Sequence, residues 1–177
     1  QKGQFEIYTS DNSDLSNENV FDITSDQSNH LWLVTQNGLN KFNPQTKSFK
    51  IYNVDNCDIL SRQSEVIKMD SKGNMLIGSI DGFSIFNPNT EEFRNYVYSE
   101  EDTNSLSNNF VSSIFEEDSN TIWITTVNGL NKLDRKSGKI TRFFKSDGFL
   151  NNTFHGIEKD NNGLLWVSSN GGLSRFN

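Results

Sequence analysis

Short runs of alternating apolar and polar residues, separated by turn-forming residues, predict β-strands along the whole chain. In the first unit the runs predict strands over 20–25, 31–35, 39–43 and 49–52, with a turn at 26–29. Asn37 and Gly38 predict a two-residue hairpin with positive φ, and Pro44 ends the third strand. No window has the period of an amphipathic helix. The unit is therefore predicted to be a four-stranded antiparallel meander.

This unit recurs four times. Each copy has a hairpin glycine, and the four glycines follow one another at 43–47 residues: Gly38, Gly82, Gly129 and Gly172. Six residues before each glycine stands a large apolar side chain: Trp32, Leu76, Trp123 and Trp166. A period of this size is typical of repeat arrays, in which one unit cannot bury its apolar face alone.

The expected fold class is all-β, a β-propeller segment of four blades, each a four-stranded antiparallel meander of about 44 residues. The blades are expected at approximately 10–52, 53–96, 97–143 and 144–177 of a single domain. A stacked parallel β-helix is less favoured, because the units are antiparallel hairpins and are large and aromatic.

The chain begins in the middle of a unit. Phe5–Tyr8 matches the fourth-strand pattern of Phe49–Tyr52, and the last unit stops after its third strand. An offset outer strand at 5–8 is therefore expected to complete the last blade. Either the four blades close as a small ring, or they are part of a larger one with open ends that pair with a second copy. Two such half-rings would make eight blades.

Composition excludes several classes of partner. The net charge of −7 argues against nucleic acid and, more weakly, against direct contact with a membrane surface. No apolar run is long enough for a spanning helix, and no signal-peptide core is present, so the chain is expected to be cytosolic or cut from a longer precursor. The single Cys57 cannot form an internal disulfide and is expected to be a loop thiol without chemistry.

The recurring positions resemble the two-component regulator propeller repeat. The pattern Ile-x-x-Asp-x-x-Gly-x-Leu-Trp, followed by a Thr or Ser and then Gly-Leu, is best matched at 160–168 and next at 120–126. A Leu-Ser lead-in stands at 15–16, 60–61 and 106–107, with Leu150-Asn151 as a variant. The second unit departs most, with Leu76 in place of tryptophan. No Trp-Asp dipeptide occurs, which sets aside the other propeller repeat of this period.

The resemblance implies a fragment of the periplasmic sensor region of a hybrid two-component histidine kinase, in which such repeats help to recognise oligosaccharides. It implies partners in the rest of the sensor propeller and in a second copy, as a homodimer. The kinase would lie on a longer chain, so no catalytic residue is expected here.

The residues themselves give no catalytic, metal or cofactor site. Asp22, Glu65 and Glu158 lie on first strands at different offsets and do not form the carboxylate pair of a glycosidase. Four recurring aspartates are expected to bond turn amides instead: Asp26, Asp70, Asp118 and Asp160. The two histidines and the acidic clusters match no triad and no zinc or calcium spacing.

Ligand binding is expected on the variable loops at 53–63, 97–109 and 144–153, which would share one face with the hairpin turns. The candidates carry planar polar groups for sugar hydroxyls or aromatic rings for sugar faces: Arg62, Gln63, Tyr98, Asn108, Asn109, Phe149, Asn152 and His155. Arg62 is the foremost, because guanidinium could hold a uronate or sulfate and the other units have asparagine there. The alternative is a solvated loop in which asparagine serves the turns.

Three functions follow from this. The leading hypothesis is a non-catalytic sensor fragment that binds a glycan-derived ligand and relays it to a histidine kinase. The alternative is a scaffold for protein–protein interaction or dimerisation without a small ligand. An enzyme of polysaccharide breakdown is the third and least favoured.

Overall fold

The computed structural model describes residues 3–176 and contains four antiparallel sheets in chain order. The first sheet holds β1 Val20–Ser25, β2 Leu31–Thr35, β3 Gly38–Asn43 and β4 Ser48–Tyr52. The second holds β5 Ser64–Met69, β6 Met75–Ser79, β7 Phe83–Asn87 and β8 Glu92–Tyr96, and the third holds β9 Val111–Glu116, β10 Thr121–Thr126, β11 Gly129–Asp134 and β12 Ile140–Phe143. The fourth has three strands, β13 Phe154–Lys159, β14 Leu165–Ser169 and β15 Gly172–Phe176. A 3-10 turn at Lys145–Asp147 precedes it.

The predicted meander is confirmed in each sheet, since every strand pairs with its neighbour in the sequence. The first strands β1, β5, β9 and β13 lie side by side and form the inner edge of the array. The molecule is thus the propeller segment that the repeat predicts.

Apolar side chains between successive sheets hold the array together. Three buried clusters join the first sheet to the second, the second to the third and the third to the fourth. Among residues 3–176 no such cluster joins the fourth sheet to the first. The blades therefore form an open arc in this structure.

The hairpin turn differs in one respect from the prediction. Thr35 pairs with Gly38, so the two loop residues are Gln36 and Asn37, and only Gly38 has positive φ, at 98°. The Thr35 hydroxyl accepts from the Asn37 N–H at 3.0 Å and so makes the local turn itself. A Cβ at Gly38 would lie 2.3 Å from the Tyr52 carbonyl oxygen, so the position requires glycine.

The offset outer strand at the fourth sheet is wrong for this structure. Phe5–Tyr8 forms no strand, and Tyr8 lies against the first sheet, with its ring 4.8 Å from that of Phe42. Because the arc is open, the fourth sheet is out of reach of this segment.

Candidate ligand-binding face

The connections between sheets lie on the hairpin turns, so both occupy one face of the arc, as the repeat predicts. The Gly38 N–H donates to the Arg62 carbonyl oxygen at 2.6 Å, and the Gly129 N–H donates to the Asn152 carbonyl oxygen at 2.8 Å. Val127 N–H makes the same kind of bond to the Phe110 carbonyl, at 3.2 Å. We call this surface the loop face.

The Leu-Ser lead-in anchors these loops to the sheets. Ser16 N–H donates to Asn40 Oδ1 at 3.0 Å, and the Asn40 amide donates back to the Ser16 hydroxyl at 2.7 Å. Ser107 and Asn131 repeat both bonds, at 2.8 and 2.9 Å. In the second sheet the Ser61 hydroxyl donates instead to Asp81, at 2.6 Å. These hydrogen bonds therefore fix the loop face to the sheets.

Arg62 is exposed at the edge of this face. Its guanidinium donates to Asp55 Oδ1 at 2.7 Å and to Asn37 Oδ1 at 3.3 Å, and both the arginine and the aspartate are more than half exposed. An exposed ion pair of this kind contributes little stability, so an anionic ligand can replace Asp55 at small cost. Gln63 turns away, with its amide on Glu65 at 2.5 Å.

The loop before the third sheet presents Tyr98. Its side chain is 42% exposed, and the Arg142 guanidinium lies 5.6 Å from the ring centre. Arg142 also donates to the carbonyl oxygens of Ser105 and Asp102, at 2.7 Å each, so it holds both the loop and the ring. Asn109 Oδ1 accepts the Tyr98 N–H at 2.6 Å. Tyr98 is the one candidate that offers a fixed, accessible aromatic surface.

The other polar candidates already make hydrogen bonds within the chain and are less free to bind a ligand. Asn108 Oδ1 caps the Phe110 N–H, and Asn152 Oδ1 caps the Lys145 N–H, so these amides serve turns. His155 is exposed and its Nε2 lies 2.6 Å from Asn170 Oδ1. The structure does not bring the eight candidates together, because seven lie on three successive loops and His155 lies in β13.

Phe149 is misassigned as a ligand contact. It is only 8% exposed and packs edge-to-face on Phe154 and Phe176, with ring centres 5.2 and 5.3 Å apart. The sequence does not distinguish a loop aromatic residue that faces solvent from one that packs in a core. Phe149 packs in the third cluster.

The structure has a groove on the inner edge that the sequence does not predict. It has a volume of about 580 Å³ and is lined by residues of β5, β9 and β13, including Lys68, Ser113, Glu116 and Glu158. Glu116 already accepts the Ser71 hydroxyl, at 2.9 Å. Polar residues on the first strands are the sequence signal for such a groove.

The recurring aspartates bond turn amides, as predicted. Asp26 Oδ1 accepts the Ser28 and His30 N–H groups at 2.8 and 2.9 Å, and Asp70, Asp118 and Asp160 make the equivalent bonds. The second oxygen of Asp26 accepts from the Trp32 indole at 3.0 Å. Asp160 holds Trp166 in the same way, at 2.8 Å, and Glu117 rather than Asp118 holds Trp123, at 2.9 Å.

The remaining carboxylates and the thiol also have structural partners. Asp22 Oδ2 accepts the Ile67 N–H of the next sheet at 2.9 Å. Cys57 is half-buried, and burial raises the pKa of its thiol. No group of three His, Cys, Asp or Glu side chains within residues 3–176 is placed to hold a metal ion. Over the same residues, no helix has the length and apolar character needed to cross a membrane.

Comparison with known proteins supports the repeat. Residues 105–128 and 148–171 match the two component regulator propeller family, so the chain contains two-component regulator propeller repeats and the resemblance drawn from the sequence is confirmed. No curated protein sequence matches the chain.

Solved structures share the fold. The extracellular domain of a hybrid two-component system from Bacteroides thetaiotaomicron aligns with a TM-score of 0.81 and 24% identity, over 98% of this chain and 23% of that one. Another such domain from the same organism gives 0.74 and 24%, over 97% and 21%. Streptogramin B lyase gives 0.68 and 16%, over 92% and 55%. The chain thus spans less than a quarter of the length of the two extracellular domains.

Proposed function

We propose that this chain, which carries two-component regulator propeller repeats, is part of the extracellular sensor region of a hybrid two-component regulator and binds a glycan-derived ligand on its loop face. In a Gram-negative cell that region would lie in the periplasm. The observation that supports the binding role is that Arg62 and Tyr98 are both exposed, each on a separate loop that is tied to the rigid sheets. An aromatic ring covers the apolar face of a sugar, and guanidinium binds a carboxylate or sulfate through two parallel bonds.

Binding rather than catalysis fits the carboxylates of this chain. Asp22, Asp26, Asp70 and Asp160 all accept backbone N–H groups, which keeps them in fixed structural roles. The likeness to streptogramin B lyase concerns the fold. We therefore assign this segment ligand recognition, with relay to a histidine kinase as the task of the longer protein.

The test is an oligosaccharide screen on the 177-residue chain. Neutral, uronate-bearing and sulfated oligosaccharides would be assayed by glycan array and then by calorimetry. Binding of an anionic oligosaccharide is expected, and Arg62→Ala should weaken it at least tenfold, since a charged hydrogen bond contributes about 1.5–3 kcal/mol. Tyr98→Ala should weaken the binding of neutral and anionic oligosaccharides alike.

Arg94→Ala is the matched control, because Arg94 is an exposed arginine that stacks on Tyr96 in an outer strand away from the loop face. Sugar binding that survives Arg62→Ala and Tyr98→Ala would overturn the assignment to the loop face. If Lys68→Ala abolished it instead, the site would be the inner groove. No sugar binding at all would favour the protein-interaction scaffold.

A further inference from the structure

An arginine joins the second and third sheets at the face opposite the loop face. This face carries the turns from the first to the second strand and from the third to the fourth strand of each sheet, and we call it the turn face. The Arg135 guanidinium donates to Asp70 Oδ2 at 2.6 Å and to Glu116 Oε1 at 3.3 Å. Glu116 also accepts the Ser71 N–H, at 2.7 Å. Charges of opposite sign therefore pair across this boundary.

The boundary between the first and second sheets has different residues at the same places. Pro88 takes the place of Arg135, since each is the first residue after the third strand of its sheet. Met69 ends β5 as Glu116 ends β9. Neither member of that ion pair is therefore present here, and a cleft of about 300 Å³ lies between the two sheets on the turn face. This volume is at the lower end of the range for small-ligand sites.

Lysines from both sheets line this cleft. Lys41 on β3 belongs to the first sheet, and Lys72 lies in the turn between β5 and β6 of the second. The Lys41 ammonium is 5.2 Å from the centre of the Trp32 ring. Within residues 3–176 neither lysine is in an ion pair. Two cations thus line one cleft, and like charges so placed repel each other unless an anion lies between them.

The one carboxylate that lines the cleft is already saturated. Asp26 Oδ1 accepts the Ser28 and His30 N–H groups, at 2.8 and 2.9 Å. Its Oδ2 lies 3.0 Å from His30 Nδ1 and accepts the Trp32 indole N–H at 3.0 Å. A carboxylate has about four acceptor positions, so Asp26 has none left for Lys41 or Lys72.

The turn that carries Lys72 does not itself need a lysine. In each such turn the recurring aspartate accepts the N–H of the residue two places later, which is Ser28, Lys72, Asn120 or Asn162. Three of the four turns therefore form with serine or asparagine, and a cation stands at this place only in the second sheet. Lys72 is thus available for a role outside the turn.

We propose that the cleft binds a phosphate group between the first and second sheets. A phosphate group carries about −1.5 to −2 charges at pH 7, which matches Lys41 and Lys72 together. Lysine suits it because the ammonium is a point charge with three donors, whereas a planar carboxylate is matched best by an arginine fork. Ser28 and Asn89 also line the cleft, are exposed and carry neutral donors. The anion would join these two sheets as Arg135 joins the next two, with the charges exchanged.

The experiment titrates the 177-residue chain with inorganic phosphate in low-salt buffer, because salt screens exposed charges. Nitrogen–proton NMR spectra should show saturable shifts of the amide signals of residues 26–30 and 70–74, with a Kd of about 0.1–5 mM. A sugar phosphate is titrated in parallel. Tighter binding of the sugar phosphate would identify an ester as the ligand, and equal or weaker binding would identify the free anion.

Two variants place in the cleft the residues that other repeats have there. Lys72→Ser copies Ser28, and Lys41→Ile copies Ile85, so both should fold, which thermal unfolding would check. Each should weaken phosphate binding about tenfold or more, as expected for the loss of a charged hydrogen bond. Lys139→Ser, at an exposed lysine just before β12, is the matched control and should bind as the natural chain does.

A third variant fills the cleft instead. Pro88→Arg with Met69→Glu places there the ion pair that Arg135 and Glu116 form at the next boundary, and it should abolish phosphate binding while the chain stays folded. Arg62→Ala should leave phosphate binding unchanged, because Arg62 lies on the loop face. The same variant weakens sugar binding if that face is the sugar site, so failure of one proposal leaves the other testable.

The phosphate site would be overturned by amide shifts that do not saturate up to about 50 mM phosphate, an affinity too weak for a specific site. Binding that both Lys72→Ser and Lys41→Ile retain would also overturn it, as would an equal loss in Lys139→Ser. Acetate that binds as tightly as phosphate would contradict the requirement for a doubly charged group.

Discussion

The carboxylate of Asp70 accepts a hydrogen bond from the Arg135 guanidinium at 2.6 Å, across the boundary between the second and third sheets. The Asp70 side chain is fully buried and that of Arg135 is 10% exposed. In the first and fourth sheets the equivalent carboxylates, Asp26 and Asp160, accept the indole N–H of a tryptophan. The second sheet has Leu76 in place of the tryptophan, and Asp70 Oδ2 accepts instead from the Asn74 amide and from Arg135 of the neighbouring blade.

Removing the arginine leaves this buried carboxylate without its charge partner. Arg135→Ala should destabilise the chain by about 2–4 kcal/mol, somewhat less than a fully isolated buried charge, because the Asn74 side chain still donates to Asp70 at 2.9 Å. Lys136→Ala, at the exposed neighbouring position, should change the free energy of unfolding by less than about 0.5 kcal/mol. Urea unfolding measures both, and equal effects would show that the Asp70–Arg135 pair does not join the blades.

The same carboxylate predicts a loss of stability in acid. Burial raises the pKa of Asp70, but hydrogen bonds from Asn74 and Arg135 outweigh burial, and the net pKa is lowered. A lowered pKa in the folded state stabilises the protein above the ordinary value near 3.8, and that contribution is lost as the pH falls through the folded-state pKa. Asp70 should therefore add no pH dependence between about pH 5 and 7 and a steep loss below about pH 4.

The measurement is the urea midpoint across that pH range, for the natural chain and for Asp70→Asn. The variant should be less stable at pH 7, and the difference between the two chains should shrink in acid. A difference that stays constant down to about pH 2 would contradict a lowered pKa.

The sequence predicted the repeated parts of the fold and missed what differs between repeats. Strand positions follow from alternation, and the turn role of Asp26 and its equivalents follows from recurrence. A cross-strand pair of a tryptophan with a cation also repeats in three sheets: Trp32 with Lys41, Trp123 with Lys132 and Trp166 with Arg175. In the second sheet the same place holds Leu76 opposite Ile85.

The contact of Asp70 with Arg135 could not be predicted in this way. The two residues are 65 positions apart, and Arg135 has no counterpart in the other units. The candidate site could not be predicted from the repeat pattern either, because the loops differ from unit to unit. The sequence predicts Phe149 on a ligand face, whereas it packs in a core, and no repeated motif marks Lys68 and Glu116 of the inner groove.

Gly78 allows the third blade to approach the second closely. A Cβ built there would lie 2.5 Å from Val111 Cγ1 and 2.6 Å from Val66 Cγ1. Gly78→Ala should therefore destabilise the chain by about 1–3 kcal/mol through overpacking. Gly156→Ala in the fourth sheet is the control, since its Cβ would meet only the Ser168 hydroxyl oxygen, at 3.3 Å.

Val111→Ala should recover part of that loss in the Gly78→Ala background, because it removes one of the two clashing methyl groups. Thermal unfolding of the four chains of this double-mutant cycle gives the coupling energy. Strictly additive effects would mean that the backbone shifts to accommodate the new methyl group.

The two tryptophans at equivalent places in the third and fourth sheets should differ in how much they stabilise the single chain. Trp123 is 3% exposed inside the third cluster, between two sheets, whereas Trp166 is half-buried at the open end of the arc. Both donate their indole N–H to a carboxylate and both lie beneath a cation, Lys132 or Arg175. Trp123→Leu should therefore cost about 3 kcal/mol or more, while Trp166→Leu should cost about 1 kcal/mol in the dilute monomer.

Urea unfolding of the natural chain and of the two variants provides the measurement. Equal costs for the two substitutions in the dilute monomer would show that the fourth sheet is already covered within a single chain, and that the arc closes.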